Sequence, residues 1–362
     1  MHNGQRIPVY FMTARKKDLE ALRKDIWRTD SVPAKIKTRK GHTDIGIVYR
    51  GAHIRKFPKK SFHCRFKQPN LLLGEEVHLN AEYMDPSLMR NKLSLDFFSD
   101  IGTLSPKSHH VLLYMNGAFQ GVYLQLESVD EHFLKRRGLP EGAIYYAEDD
   151  DANFSLISPF NHDIKSAFES GYARKCGENH HDKSLQAFIY QINTIPRADF
   201  ESEISKYVNM ERYLRWLAGV VCTQNFDGFI HNYALYLDPD TGLFEPIPWD
   251  YDATWGRDIH GRELEYDYIP IEGYNTLTAR ILDVQSFRHR YQQIMEEILE
   301  DHFTVLALQP KIEAMYRLIR PYVMKDPHKM DDVEQFEQEP NIIVQYIRDR
   351  GRFLQNHLSD LE

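Results

Sequence analysis

The sequence predicts an α+β fold in two lobes, a β-rich N-terminal lobe followed by a mainly helical C-terminal lobe. Three observations predict it. Apolar and polar residues alternate through much of the first third, the period of half-buried strands. From about residue 160 the apolar residues recur at helical spacing instead. One hairpin signal, residues 232–247, is embedded in that helical part.

The elements follow in order. Pro8 to Met12 reads as a short apolar strand, and Lys16 to Trp27 carries Leu19, Leu22 and Ile26 on one side of a helix. Residues 33–38, 43–50 and 61–66 alternate as strands, with Gly51 as punctuation. Asp85 can cap a second helix and Pro86 suits its first turn; the helix runs on to Asp100 and stops at Gly102. Met89, Leu93, Phe97 and Ile101 recur every four residues along it, so that face packs inward, with Arg90 beside it. His110–Met115 and Gly121–Leu126 flank an Asn116-Gly117 turn signal. A short strand, Ala143–Ala147, precedes the acidic run Asp149-Asp150-Asp151. Later helices are predicted over 181–192, 207–222, 284–300, 307–324 and 340–358. Among them an isolated hairpin runs Asn232–Leu237, turns through Asp238-Pro239-Asp240-Thr241-Gly242 and returns over Leu243–Ile247. The lobes divide at residue 128, into 1–128 and 129–362.

Composition narrows the function classes. A chain of 362 residues with 42% apolar and 27% charged residues buries a sizeable core. A net charge of −8 speaks against a general nucleic-acid binder, which needs a basic face. The basic residues Arg55, Lys56, Lys59, Lys60, Arg65 and Lys67 read as a solvated edge of strands. Three widely spaced cysteines, Cys64, Cys176 and Cys222, predict free thiols in a reducing compartment. The first residues, Met1-His2-Asn3-Gly4-Gln5-Arg6-Ile7-Pro8, carry no apolar leader, and no run long enough for a membrane span occurs, so the expectation is cytoplasmic synthesis with no membrane partner.

The chemistry centres on Asn225-Phe226-Asp227-Gly228-Phe229-Ile230-His231-Asn232. Asp227 and Asn232 have the D-x-x-x-x-N spacing at which protein kinases place a catalytic Asp and a metal-binding Asn. The spacing alone is weak; the hairpin after Asn232, which leads back to Pro248-Trp249-Asp250-Tyr251-Asp252, strengthens it. A hairpin returns Asn232 and Asp250 to one place, where both can ligate a Mg²⁺ that bridges nucleotide phosphates. Asp252 shares a side with Asp250 in extended chain and is a third metal candidate. The two-lobed order and this constellation together outline an atypical protein-kinase-like fold. The first lobe then binds nucleotide, and the second holds the catalytic loop and the metal-binding hairpin. Lys60 is the expected strand lysine for ATP phosphates, Arg90 a bidentate phosphate ligand, and Glu127 the hinge residue beside adenine. Lys60 and Glu127 each have a plain alternative as a solvated surface charge. Without a glycine-rich loop, Arg50, His53 and Arg55 are offered as side-chain phosphate ligands. The H-R-D, D-F-G and A-P-E motifs and a helix Glu within 86–101 are missing.

Several runs carry a family resemblance: His78-Leu79-Asn80-Ala81-Glu82-Tyr83, Asp85-Pro86-Ser87-Leu88-Met89-Arg90-Asn91-Lys92-Leu93, Asn116-Gly117 with Gly121-Val122-Tyr123-Leu124 and Glu127, and Ile247-Pro248-Trp249-Asp250-Tyr251-Asp252-Ala253-Thr254-Trp255-Gly256. Together they resemble the spore coat protein H (CotH) family of endospore-forming bacteria over nearly the whole chain. The resemblance implies an atypical protein kinase that moves phosphate from ATP, with Mg²⁺, to serines of spore coat proteins and is required for outer coat assembly. It implies synthesis in the mother-cell cytoplasm and deposition in the coat. It also matches the catalytic Asp to Asp227 and the Mg²⁺-binding Asp to Asp250. Two other readings stand beside it: a pseudokinase scaffold of the coat, and a metal-dependent phosphohydrolase.

Overall fold

In the computed structural model, which describes residues 6–39, 41–70 and 74–362, the early strands close into a seven-stranded barrel. Its strands are β1 (Val9–Ala14), β2 (Val32–Thr38), β3 (Gly41–Tyr49), β4 (Phe62–Asn70), β5 (Gly74–Asn80), β6 (Ser108–Met115) and β7 (Ala118–Glu127). The order is β1-β2-β3-β4-β5-β7-β6, and parallel pairing of β1 with β6, Val9 opposite Leu112, closes the ring. Closure leaves no unpaired edge. Alternate residues fill the interior, among them Met12, Ile45, Ile47, Cys64, Leu79, Val111 and Leu113. Helix α1 (Lys16–Lys24) lays Leu19 and Leu22 on this core. Strand β5 escapes sequence reading because its polar residues Glu76, His78 and Asn80 are buried too.

Helix α2 (Arg90–Asp100) starts later than Asp85, yet the Asp85 carboxylate still accepts the backbone N–H groups of Ser87, Met89 and Arg90. Its predicted inward face, Met89, Leu93, Phe97 and Ile101, is buried in the core of the helical part rather than in the barrel.

The second sheet corrects one expectation. The 232–247 hairpin is not isolated: β10 (Tyr233–Leu237) pairs with β11 (Phe244–Pro248) on one side and with β8 (Ala143–Ala147) on the other, and β9 (Tyr172–Cys176) completes a four-stranded sheet. The other helices are α3 (Glu131–Arg137), α4 (Asp182–Thr194), α5 (Phe200–Ile204), α6 (Met210–Thr223), α7 (Thr276–Leu282), α8 (Gln285–Asp301), α9 (Val305–Val323) and α10 (Val333–Asn356). The last begins before the predicted residue 340 and carries Pro340 inside it. Helix α6 is buried along most of its length and delivers the chain to residue 224.

Buried ion pairs tie the parts together. Arg90 meets Asp85 at 2.8 Å and Glu339 of α10 at 2.6 Å, all with side chains fully buried, and Arg257 meets Glu339 at 2.5 Å. Arg90 also donates to the carbonyl of Thr254, which pins the chain just beyond Asp252. Lys59 is buried rather than solvated; it meets Asp326, after α9, at 2.9 Å and donates to the Val122 carbonyl. Gly121 is left-handed there (φ +108°), and a Cβ would lie 2.0 Å from the Asp326 carboxylate, so only glycine admits this clasp. All three cysteines are free and buried. Among the described residues no helix is long and apolar enough to cross a membrane.

Candidate active site

A cleft of about 430 Å³ opens between the barrel and the second sheet. Arg50 and Arg55 line its barrel side, and Asp227, Asn232, Asp250 and Asp252 line the opposite side with Trp249 between. The catalytic and metal candidates named from spacing therefore share one cavity.

Local rules put them there. Helix α6 ends with Gln224 left-handed (φ 55°), a common helix stop. Asn225 then accepts the N–H of Gly228 and holds a single turn over Asp227–Phe229, with the His231 N–H on the Asp227 carbonyl at 2.8 Å. Strand β10 begins after Asn232, and β11 ends just before Trp249, whose N–H donates to the Asn232 carbonyl at 3.0 Å. That closing bond sets Asn232 beside Asp250. Both residues are left-handed, φ 58° and φ 61°. Non-glycine residues in that region cost ~1–3 kcal/mol each and gather at functional sites. His231 lies between two carboxylates, 3.0 Å from Asp150 and 3.7 Å from Asp227.

The acidic groups near this cleft are crowded. Burial pushes the Asp252 carboxyl up to about 8, helped by the charges of Asp250 and Asp85. Glu82, in the loop after β5, is pushed well above the usual range by burial, then by Asp252, Asp85 and Asp250. Among the described residues no ion pair reaches Glu82, Asp250 or Asp252, and no three His, Cys, Asp or Glu side chains converge as a ready-made cage. One amide and two carboxylates, open to a cleft, nonetheless suit Mg²⁺, which takes few protein oxygens and keeps water and phosphate as its other ligands. The donor set fits.

The phosphate and adenine candidates fare differently. Arg90 does not face the cleft; its guanidinium is fully buried among Asp85, Glu339 and the Thr254 carbonyl. Glu127 ends β7 and is held by Arg136 at 2.7 Å, Arg137 at 2.9 Å and the Lys107 N–H. Lys60 donates to the Arg55 carbonyl at 2.6 Å and lies over the Tyr49 ring, behind the arginine that does line the cleft. Arg50 stacks over Trp249, 5.4 Å from the ring centroid, and bonds Asn80. The His53 side chain and residues 1–5 lie outside the described residues.

The sequence model of the CotH kinase protein family matches residues 47–354. The chain belongs to that family. Among its relatives, the inner spore coat protein H of Bacillus subtilis (strain 168) is 55% identical over the full length of both chains. An inner spore coat protein H-like protein of the same organism is 29% identical over 80% of this chain and 83% of that one. The invasin CotH2 of Rhizopus delemar is 23% identical over 69% of this chain and 45% of the invasin. Among solved structures, the Helicobacter pylori proinflammatory kinase CtkA covers 82% of this chain and 95% of its own, with 8% identity and a TM-score of 0.30, too low to bear on the fold.

In this CotH family chain, two contributors to the cleft, Tyr146 and Trp249, were not predicted, and neither was the burial of Glu82. Glu82 was visible only as an acid preceding α2; its burial depends on Asn91, nine residues on, and on the distant 250–252 segment. Tyr146 and Trp249 pack edge to face at 5.0 Å, and no periodicity announces that pairing.

Proposed function

We propose that the chain is an ATP- and Mg²⁺-dependent protein kinase that phosphorylates serines of spore coat proteins and thereby supports assembly of the outer coat. The observation that carries this is the convergence of Asp227, Asn232, Asp250 and Asp252 on one cleft faced by two arginines. Membership of a family named for kinase activity, and a relative named as a spore coat protein, support the same reading. The end of the barrel at Glu127 and the start of the second sheet at Ala143 support it as well, with the proposed lobe boundary at residue 128 between them.

In this reading Asp227 accepts the proton of the acceptor serine. The serine oxygen bonds to the γ-phosphorus, the bond to the β–γ bridging oxygen breaks, and ADP leaves with that electron pair. Asn232, Asp250 and Asp252 hold the cation, which when bound neutralises charge on the phosphates. Arg50 takes the phosphate role first given to Arg90, because its guanidinium lies over Trp249 on the cleft wall; Arg55 lines the cleft as well, with its guanidinium held by the carbonyls of Gly51 and Ile26. Lys60 acts behind them by fixing the backbone of Arg55. His231, bridging towards Asp150, orients Asp227. Glu127 serves the segment after β7 as a structural anchor.

The test is transfer from γ-labelled ATP to a serine-rich coat protein. Asp227→Asn should lower the rate by at least ~100-fold with ATP affinity nearly intact. Label on the acceptor at an unchanged rate in Asp227→Asn would overturn the assignment. Free phosphate with no labelled protein would support a phosphohydrolase, and coat assembly by Asp227→Asn in cells a scaffold.

A further inference from the structure

The turn that carries Asp227 has two sides, and only one of them looks into the cleft. Asp227 and His231, four residues apart, line the cleft. Phe226 and Ile230, also four apart, line a separate groove of about 510 Å³. Residues four apart share a side of a helical turn, so the cleft and the groove lie on adjacent sides of the same few residues.

The groove has two fixed walls. The catalytic turn and the chain entering α7 form the first. The Phe226 ring lies 5.8 Å from Tyr274 and 6.0 Å from Tyr268, centroid to centroid, and the three residues are 41%, 41% and 52% exposed. Asn275 holds this wall: its amide N–H₂ donates to the Phe229 carbonyl at 3.1 Å, and its oxygen accepts the N–H of Thr278 at 2.8 Å. The loop after β8 forms the second wall and presents Ile157, 44% exposed. The buried Lys165 holds that loop: its ammonium donates to the Ser155 carbonyl at 2.7 Å and to Asn153 Oδ1 at 3.0 Å. Walls built before a ligand arrives lower the ordering cost of binding.

The lining is also distinctive in charge. Among the described residues, no Asp, Glu, Lys or Arg lines the groove. Clustered exposed rings mark a binding surface. A neutral, ring-rich lining accepts an uncharged apolar side chain and leaves a charged one without a partner.

We propose that this groove binds the acceptor protein, as an extended segment whose large uncharged apolar side chain seats against Phe226, Tyr274 and Ile157 while its serine reaches Asp227. The proposal rests on the reading of the cleft as the phosphoryl-transfer site. The occupant is the acceptor because the groove and that cleft share one turn of chain. A helical turn is ~10 Å across and an extended chain advances ~3.3 Å per residue, so the apolar residue stands about three residues from the serine.

The test uses synthetic peptides with one central serine in a neutral Ala-Gly-Gln background and either no tyrosine or one, placed at increasing distance from the serine. Transfer from γ-labelled ATP gives KM and kcat for each peptide. Fluorescence anisotropy of labelled peptides with the serine replaced by alanine gives Kd without any transfer. Wild type is compared with Ile157→Ser and Tyr274→Ala, exposed positions on opposite walls, with melting temperature as the check on folding. The expected result is a KM and Kd ~10-fold lower for the best tyrosine peptide than for the tyrosine-free one, a gap that either variant largely closes. Equal values for all peptides in wild type, or a gap that survives in both variants, overturns the groove and leaves the transfer reading intact. No transfer to any peptide, with the Kd gap present and closed by the variants, overturns the transfer reading and supports the groove as a peptide site. No transfer and no gap overturn both. A dimer in sedimentation that either variant dissolves makes a second copy the occupant and overturns the acceptor role.

Discussion

Two clusters of buried charge lie on either side of the start of α2. Around Arg90, each carboxylate faces a guanidinium: Asp85 and Glu339 meet Arg90, and Glu339 also meets Arg257. Burial pushes the Asp85 carboxyl up, but Arg90 outweighs burial and holds it below the usual range. Around Glu82, burial first and then the neighbouring carboxylate charges push Glu82 and Asp252 upward. In the first cluster every carboxylate has a guanidinium partner, and the cluster fixes the chain. In the second, among the described residues, no ion pair reaches Glu82, Asp250 or Asp252.

The largest expected effect breaks the complete cluster. Glu339→Gln leaves Arg257 without its buried partner and Arg90 with one carboxylate, so it should cost ~3–5 kcal/mol in chemical denaturation. A loss below ~1 kcal/mol would mean that these pairs do not pin the 254–257 segment.

Next comes pH, read at His110, whose ring N–H donates to the Leu88 carbonyl at 2.7 Å just before α2. Burial lowers this histidine to about 4 from its ordinary 6.5. As pH falls from about 6.5 to about 4, the unfolded chain binds a proton that the folded chain refuses. Stability should therefore fall through that window, by up to ~3 kcal/mol, and level off below it. His110→Asn should flatten the slope between about pH 7 and about pH 4.5 in urea melts.

The cleft's arginines come third. Arg50→Ala removes a charged donor and should raise the KM for ATP by ~10-fold in steady-state transfer assays, with kcat changed less. An unchanged KM would move the phosphates away from the barrel side. The smallest effect sharpens the contrast: Asp252→Asn should leave metal-free stability unchanged or raised, since it removes a crowded carboxylate. The same variant should lose the rise in melting temperature that Mg²⁺ with nucleotide gives the wild type.

The part of the site that the sequence revealed is the part built locally. Asp227, Asn232, Asp250 and Asp252 meet because one hairpin, with a clear turn at 238–242, returns the chain on itself. The inward face of α2 was legible for the same reason, a period of four within one helix. Arg90 and Glu127 were not, because their partners depend on folding at a distance. Glu339 lies on the last helix, and Arg136 and Arg137 fold back from α3 onto the end of β7. The choice between Lys59 and Lys60 was equally hidden: adjacent residues point oppositely, and the buried one meets Asp326, far along the chain. Barrel closure by a parallel β1–β6 pair leaves no local pattern either.

The most direct test of the cleft as the phosphoryl-transfer site is a crystal structure of the chain with Mn²⁺ and a non-hydrolysable ATP analogue, with the metal located by its anomalous signal. The metal peak should lie among Asn232, Asp250 and Asp252, the γ-phosphate within reach of the Asp227 carboxylate, and Arg50 or Arg55 on the phosphates. A metal peak elsewhere, or a nucleotide bound outside this cleft, would contradict it.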